Sequence, residues 1–169
     1  SAWFMVVIGY LAFSSIAPAQ GEQLSFEGAQ WIWSAAGDTA SPAAGSSYFR
    51  AEVDVPENPA LKSAEVIATC DNLFVLYVNG RPVGESQTGN SAWKNAKRWD
   101  VTGMIVPGRI SLAAEAINTL PGPAGLIVKF VAELADGQKI VLASGENWKC
   151  QTAAAANWQQ PEFDDQKWN

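Results

Sequence analysis

Residues 71–84, Asp-Asn-Leu-Phe-Val-Leu-Tyr-Val-Asn-Gly-Arg-Pro-Val-Gly, spell a strand, a two-residue turn and a return strand. Residues 73–78 are an unbroken apolar, β-branched and aromatic run, the pattern of a strand buried on both faces. Asn79-Gly80 is the strongest short-range hairpin signal, because both residues accept the positive φ of a type I′ turn. Pro82 donates no amide hydrogen, which places the return strand at a sheet edge or a bulge. A chain built around this hairpin needs an antiparallel sheet.

The rest of the sequence repeats the period. Residues 48–55 alternate, with Phe49, Ala51, Val53 and Val55 on one face and Arg50, Glu52 and Asp54 on the other, as in a half-buried antiparallel strand. Residues 31–33 read as a short first strand, and 64–70, 97–101, 109–118, 126–134, 139–143 and 148–151 as further strands. Ile110, Leu112, Ala114 and Ala116 point inward, as do Leu126, Val128, Phe130, Ala132 and Leu134. Residues 37–47, 86–95, 119–124 and 153–161 are loops, 102–108 is a turn or one helical turn, and 163–168 is a tail. Many short strands with turn signals and no amphipathic helix predict an all-β sandwich or barrel.

The first residues follow a different logic. Residues 3–16 are almost wholly apolar and uncharged, and Ala17-Pro18-Ala19 has the small-x-small form of a signal-peptidase site. The run is too short for a comfortable span of about 20 residues. Residues 1–19 therefore read as the h-region and cleavage site of a secretory signal, with an uncleaved anchor or a buried strand as the alternatives. Residues 20–169 suffice for one domain with a real core. Its expected location is secreted or periplasmic. Cys70 shares a face with Val66 and Ala68, and Cys150 with Trp148, both inward. An exported protein would allow a Cys70–Cys150 disulfide, worth about 4 kcal/mol in the chain-entropy model; two buried thiols are the alternative.

Composition removes whole classes of function. A net charge of −6 argues against nucleic acid and against an anionic membrane surface, so no membrane partner is expected after signal cleavage. The absence of histidine removes Ser-His-Asp and Cys-His nucleophile systems and His-ligated zinc. The adjacent acids Asp164 and Asp165 point to opposite faces if extended, which suits turn or capping hydrogen bonds better than a glycosidase pair. No cofactor is expected. A structural Ca²⁺ needs six or more oxygen ligands and would draw on Asp38 and Glu146, but no spacing identifies a site.

If each strand runs the length of a sandwich, alternate loops share an end. The loops around Asp38, Asp71-Asn72, Trp93, 118–120 and 145–146 then meet at one end. Asn79-Gly80, Pro107-Gly108 and Asp136-Gly137 meet at the other. The first end carries long irregular loops and is where a ligand belongs. A sugar site wants an aromatic face for the C–H side of the ring and fixed amides and carboxylates for the hydroxyls. Trp93 would stack, and Asp71, Asn72 and Asn118 would hydrogen-bond. Against this, Trp93 can fold down as a lid on the core, Asp71 and Asn72 can serve turn backbone, and Asn118 can cap its loop. Trp31, Trp33, Trp99, Trp148 and Trp168 read as core and edge packing.

Trp31-Ile32-Trp33, Tyr48-Phe49-Arg50, Asp71 and Tyr77-Val78-Asn79-Gly80, in this order, resemble the galactose-binding-like β-sandwich domains of secreted bacterial proteins. They are most similar to the N-terminal sugar-binding-type modules of bacterial α-L-rhamnosidases. Trp99-Asp100-Val101-Thr102 with Pro107-Gly108, Glu115 to Asn118, Ala124-Gly125-Leu126, Asn147-Trp148-Lys149 and Phe163 to Trp168 continue the likeness, which covers nearly all of residues 29–168. Arg109-Ile110 departs from it, standing where the family usually has an Asn after the Gly. The resemblance implies an antiparallel jelly-roll β-sandwich without catalysis of its own. Its role would be carbohydrate binding or positioning beside downstream domains of a larger secreted glycoside hydrolase. The alternative is a purely structural or protein-interaction sandwich that binds no sugar.

Overall fold

A computed structural model of the chain describes residues 24–34, 40–86, 89 and 91–169. The expected signal segment, residues 1–19, and Asp38 lie outside the described residues.

The described chain is all-β. Its strands are β1 (Gly45–Val55), β2 (Leu61–Asp71), β3 (Leu73–Val78), β4 (Arg81–Glu85), β5 (Lys97–Asp100), β6 (Gly108–Asn118), β7 (Gly125–Leu134), β8 (Lys139–Ala143) and β9 (Lys149–Gln151). They form two sheets, ordered β4-β3-β6-β1-β9 and β5-β2-β7-β8, with every pair antiparallel. This is the expected jelly-roll sandwich. Short 3-10 turns cover Ala92–Lys94 and Thr102–Met104.

The core lies between the sheets. Phe49, Val55, Phe74, Leu76, Val78, Ile110 and Leu112 of the five-stranded sheet meet Val66, Val128, Phe130 and Leu134 of the other, all almost fully buried. Each such side chain contributes roughly 1.5–3 kcal/mol by leaving water. The inward sets read from β6 and β7 are the ones observed.

The hairpin folds as its residues dictate. Asn79 and Gly80 have φ of 49° and 71°. The Asn79 side chain accepts from the Ser111 amide at 3.0 Å and donates to the Met104 carbonyl at 3.3 Å, tying the turn to β6. Strand β4 is an edge, and its register shifts between Leu76 and Tyr77, beside Pro82. Gly84 is needed because a Cβ there would come within 2.5 Å of the Trp99 ring, which packs edge-on to Phe74.

Four expectations need correction. Residues 31–33 form no strand; Ile32 makes a single bridge to Leu126. Strand β3 buries one face, with Leu73, Val75 and Tyr77 only half-buried. Arg50, placed by alternation on a solvent face, has a side chain 0% exposed. Alternation tells which face a residue takes, not what covers that face. Here the cover is the C-terminal segment, residues 153–169. Arg50 donates to Asp165 Oδ2 at 3.1 Å and to the Trp158 and Gln160 carbonyls, and its guanidinium lies 5.4 Å from the Phe163 ring centroid. Trp158 packs against Tyr48, Tyr77 and Trp168.

The fourth correction concerns the cysteines. Cys70 and Cys150 are free thiols, and the expected disulfide is not formed. Both do face inward, but from different sheets. Cys70 pairs with Leu126 on β7, whereas Cys150 pairs with Phe49 at the outer edge of the other sheet. A shared inward direction does not supply the short Cα separation that a disulfide requires. Burial pushes the Cys70 thiol up to about 12 and the Cys150 thiol up to about 11.

Candidate functional site

The ladder sets which loops meet. Gly45 pairs with Asn118, Leu73 with Ile117 and Asp71 with Gly125, so the loops following residues 71, 118 and 143 and preceding residue 125 share one end. Val55 pairs with Gly108 and Val78 with Arg81 at the opposite end. The alternate-loop expectation holds for every described loop.

At the first end lies a shallow recess of about 310 Å³, lined by Trp31, Asp71, Trp93, Pro123, Ala124 and Gly125. Backbone pairing positions its walls. Asp71 ends β2 directly opposite Gly125, which begins β7. The Ile32–Leu126 bridge sets the neighbouring Trp31 over Gly125. A Cβ on Gly125 would come within 2.8 Å of the Trp31 ring, so only glycine lets the indole lie against the backbone there. Trp93 sits in the Ala92–Lys94 turn, whose Trp93 carbonyl accepts from Thr69 Oγ1 of β2 at 2.9 Å.

Trp31 is 50% exposed and Trp93 39%. Large aromatic side chains are usually mostly buried, so two open indoles on one recess are unusual. Trp93 is therefore no lid on the core. The Lys94 ammonium rests 5.3 Å from the Trp93 ring centroid.

Of the four residues expected to bind ligand, Trp93 and Asp71 line the recess and Asn72 and Asn118 do not. Asn72 braces the site. Its amide donates to Asp71 Oδ1 at 2.7 Å, and its own Oδ1 accepts both the amide and the hydroxyl of Thr119 at 2.9 Å. Asn118 is 2% exposed and donates to the Pro42 and Ala43 carbonyls at 3.0 and 3.2 Å. It pins the loop after β6, the capping alternative. The residue missed was Trp31, read as packing. Its two-residue spacing from Trp33, which packs against Phe49, pointed to a shared packing face, so nothing local in the sequence marked Trp31 as open.

The adjacent acids Asp164 and Asp165 make structural contacts. Asp164 accepts from the Gln166 amide in a turn, while Asp165 meets Arg50 and Lys149. Burial pushes the Asp165 carboxyl up, but the Lys149 and Arg50 hydrogen bonds outweigh it and hold it below the ordinary range. Among the described residues no three Cys, Asp or Glu side chains cluster for a metal, and Glu146 is exposed. No helix among them is long and apolar enough to cross a membrane.

No family model matches the chain. An α-L-rhamnosidase of Streptomyces avermitilis is 33% identical over 151 residues, covering 87% of this chain and 14% of that enzyme. The crystal structure of the Streptomyces avermitilis α-L-rhamnosidase complexed with L-rhamnose superposes with a TM-score of 0.80 at 32% identity, over 87% of this chain and 14% of its own. The apo Pleurotus ostreatus lectin superposes at 0.75 with 26% identity, over 86% of this chain and 41% of the lectin. A rhamnosidase from Bacillus sp. GL1 follows at 0.66 and 26%, over 83% and 17%. The chain spans 14% of the length of the curated relative it matches. It is thus a homologue of an α-L-rhamnosidase over one module of that enzyme, in a jelly-roll sandwich whose fold a lectin shares.

Proposed function

We propose that this chain is a non-catalytic carbohydrate-binding or substrate-positioning module of an exported multidomain protein related to glycoside hydrolases. The observation that carries the reading is the convergence of Trp31, Trp93 and Asp71 on one recess at the loop end. Indole faces accept the C–H side of a sugar ring, and a carboxylate accepts its hydroxyls. The likeness to part of a rhamnosidase and to a lectin supports the same reading. The apolar leader of residues 3–16 supports export.

A glycan array probed with the wild-type chain and with Trp93→Ala tests the proposal. Binding that is lost in a variant of unchanged melting temperature is the expected result. A folded wild type that binds no glycan favours the second reading, a sandwich that packs against a neighbouring domain. Leu120, 73% exposed in the 119–124 loop, is the observation on that side.

A further inference from the structure

We infer that the recess selects sugars bearing a free, protonated amine, an inference that rests on the carbohydrate-binding reading above. Among the described residues, Asp71 is the single ionisable side chain lining the recess, and it is flanked by two open indoles. A carboxylate only accepts hydrogen bonds, so it is matched best by a charged donor. Indole faces attract an ammonium group through their quadrupole. The chain already makes this contact internally, with the Lys94 ammonium over Trp93. Lys94 is exposed, so a ligand amine can take its place over the ring while also reaching Asp71. Asn72 donates to Asp71 Oδ1 and so holds the carboxylate in place at the recess wall. The net charge of −6 favours approach of a cation over that of an acidic sugar. A neutral hexose would use the indoles but gain only ordinary hydrogen bonds from Asp71.

Calorimetric titration of the chain at low salt with glucosamine oligomers, N-acetylglucosamine oligomers and glucose oligomers of equal length is the test. The amine-bearing series is expected to bind at least tenfold more tightly than the other two. Asp71→Asn, which keeps the side chain's size, should remove that preference at unchanged melting temperature, the amine-bearing series losing at least tenfold more affinity than the neutral sugars, which lose only ordinary hydrogen bonds. Lys94→Gln, which removes the competing ammonium, should tighten amine binding. Equal affinity across the three series, or an amine preference that survives Asp71→Asn, would overturn the inference while leaving carbohydrate binding intact. No binding of any sugar by the folded wild type would overturn both.

Discussion

The buried Arg50–Asp165 pair gives a prediction that separates the C-terminal strap from the sandwich beneath it. Asp165→Asn keeps the shape of the side chain but removes the charge that faces Arg50 at 3.1 Å. The Arg50 side chain is 0% exposed and that of Asp165 14%. Removing one partner of a buried pair typically costs 3–5 kcal/mol, because an uncompensated charge stays behind. Glu52, 31% exposed and 3.6 Å from the other Arg50 terminal nitrogen, compensates in part. The expected loss is therefore about 3 kcal/mol at the low end of that range. At roughly 2–4 °C per kcal/mol for a domain of this size, melting should fall by roughly 6–12 °C. Lys149→Met is the control. Lys149 also meets Asp165, at 2.5 Å, but is 43% exposed, and exposed pairs contribute less than about 1 kcal/mol. Chemical denaturation followed by tryptophan emission reads both variants, since Trp158 and Trp168 stack within the strap. An Asp165→Asn loss no larger than the Lys149→Met loss would refute the assignment of Arg50 as a buried, strap-dependent charge.

The same strap sets an acid limit. The carboxyl of Asp165 is held low in the fold, so its contribution is fully present above the ordinary carboxylate pKa of about 3.9 and is lost as pH falls through the depressed value. Stability should therefore rise with pH across that window in the wild type, and more weakly in Asp165→Asn. Gly125→Ala should displace Trp31 from the backbone and weaken sugar binding about tenfold with little loss of stability, read by titration beside a thermal melt. Both thiols should resist alkylation near neutral pH in the folded chain and react on unfolding, and the intact mass should correspond to two reduced cysteines.

The sandwich was legible because its information is local and periodic. Asn79-Gly80 fixes a turn through its own φ preferences, and the alternation along residues 110–116 and 126–134 fixes which side faces the core. The C-terminal segment was not legible, because its contacts are long-range and aperiodic. Nothing in residues 153–169 signals that Asp165 and Phe163 close over Arg50. The candidate site divides along the same line. Strand parity brought Asp71 and Trp93 to one end, since parity depends only on counting strands. Parity cannot say which polar side chain is spent on backbone, so Asn118 read as a ligand group although it holds the Pro42 and Ala43 carbonyls. Trp31 was misplaced because its exposure depends on Gly125 opposite it, a pairing absent from its own neighbourhood in sequence.

On the proposed function, the Trp31–Trp93–Asp71 recess binds a sugar. The most direct test is a two-dimensional NMR titration of the indole N–H signals of the eight tryptophans with the best ligand from the array. The Trp31 and Trp93 signals should shift and saturate together, while those of the buried Trp148 and Trp158 stay in place. Saturable shifts confined to other tryptophans, or none from any glycan with the protein folded, would contradict it.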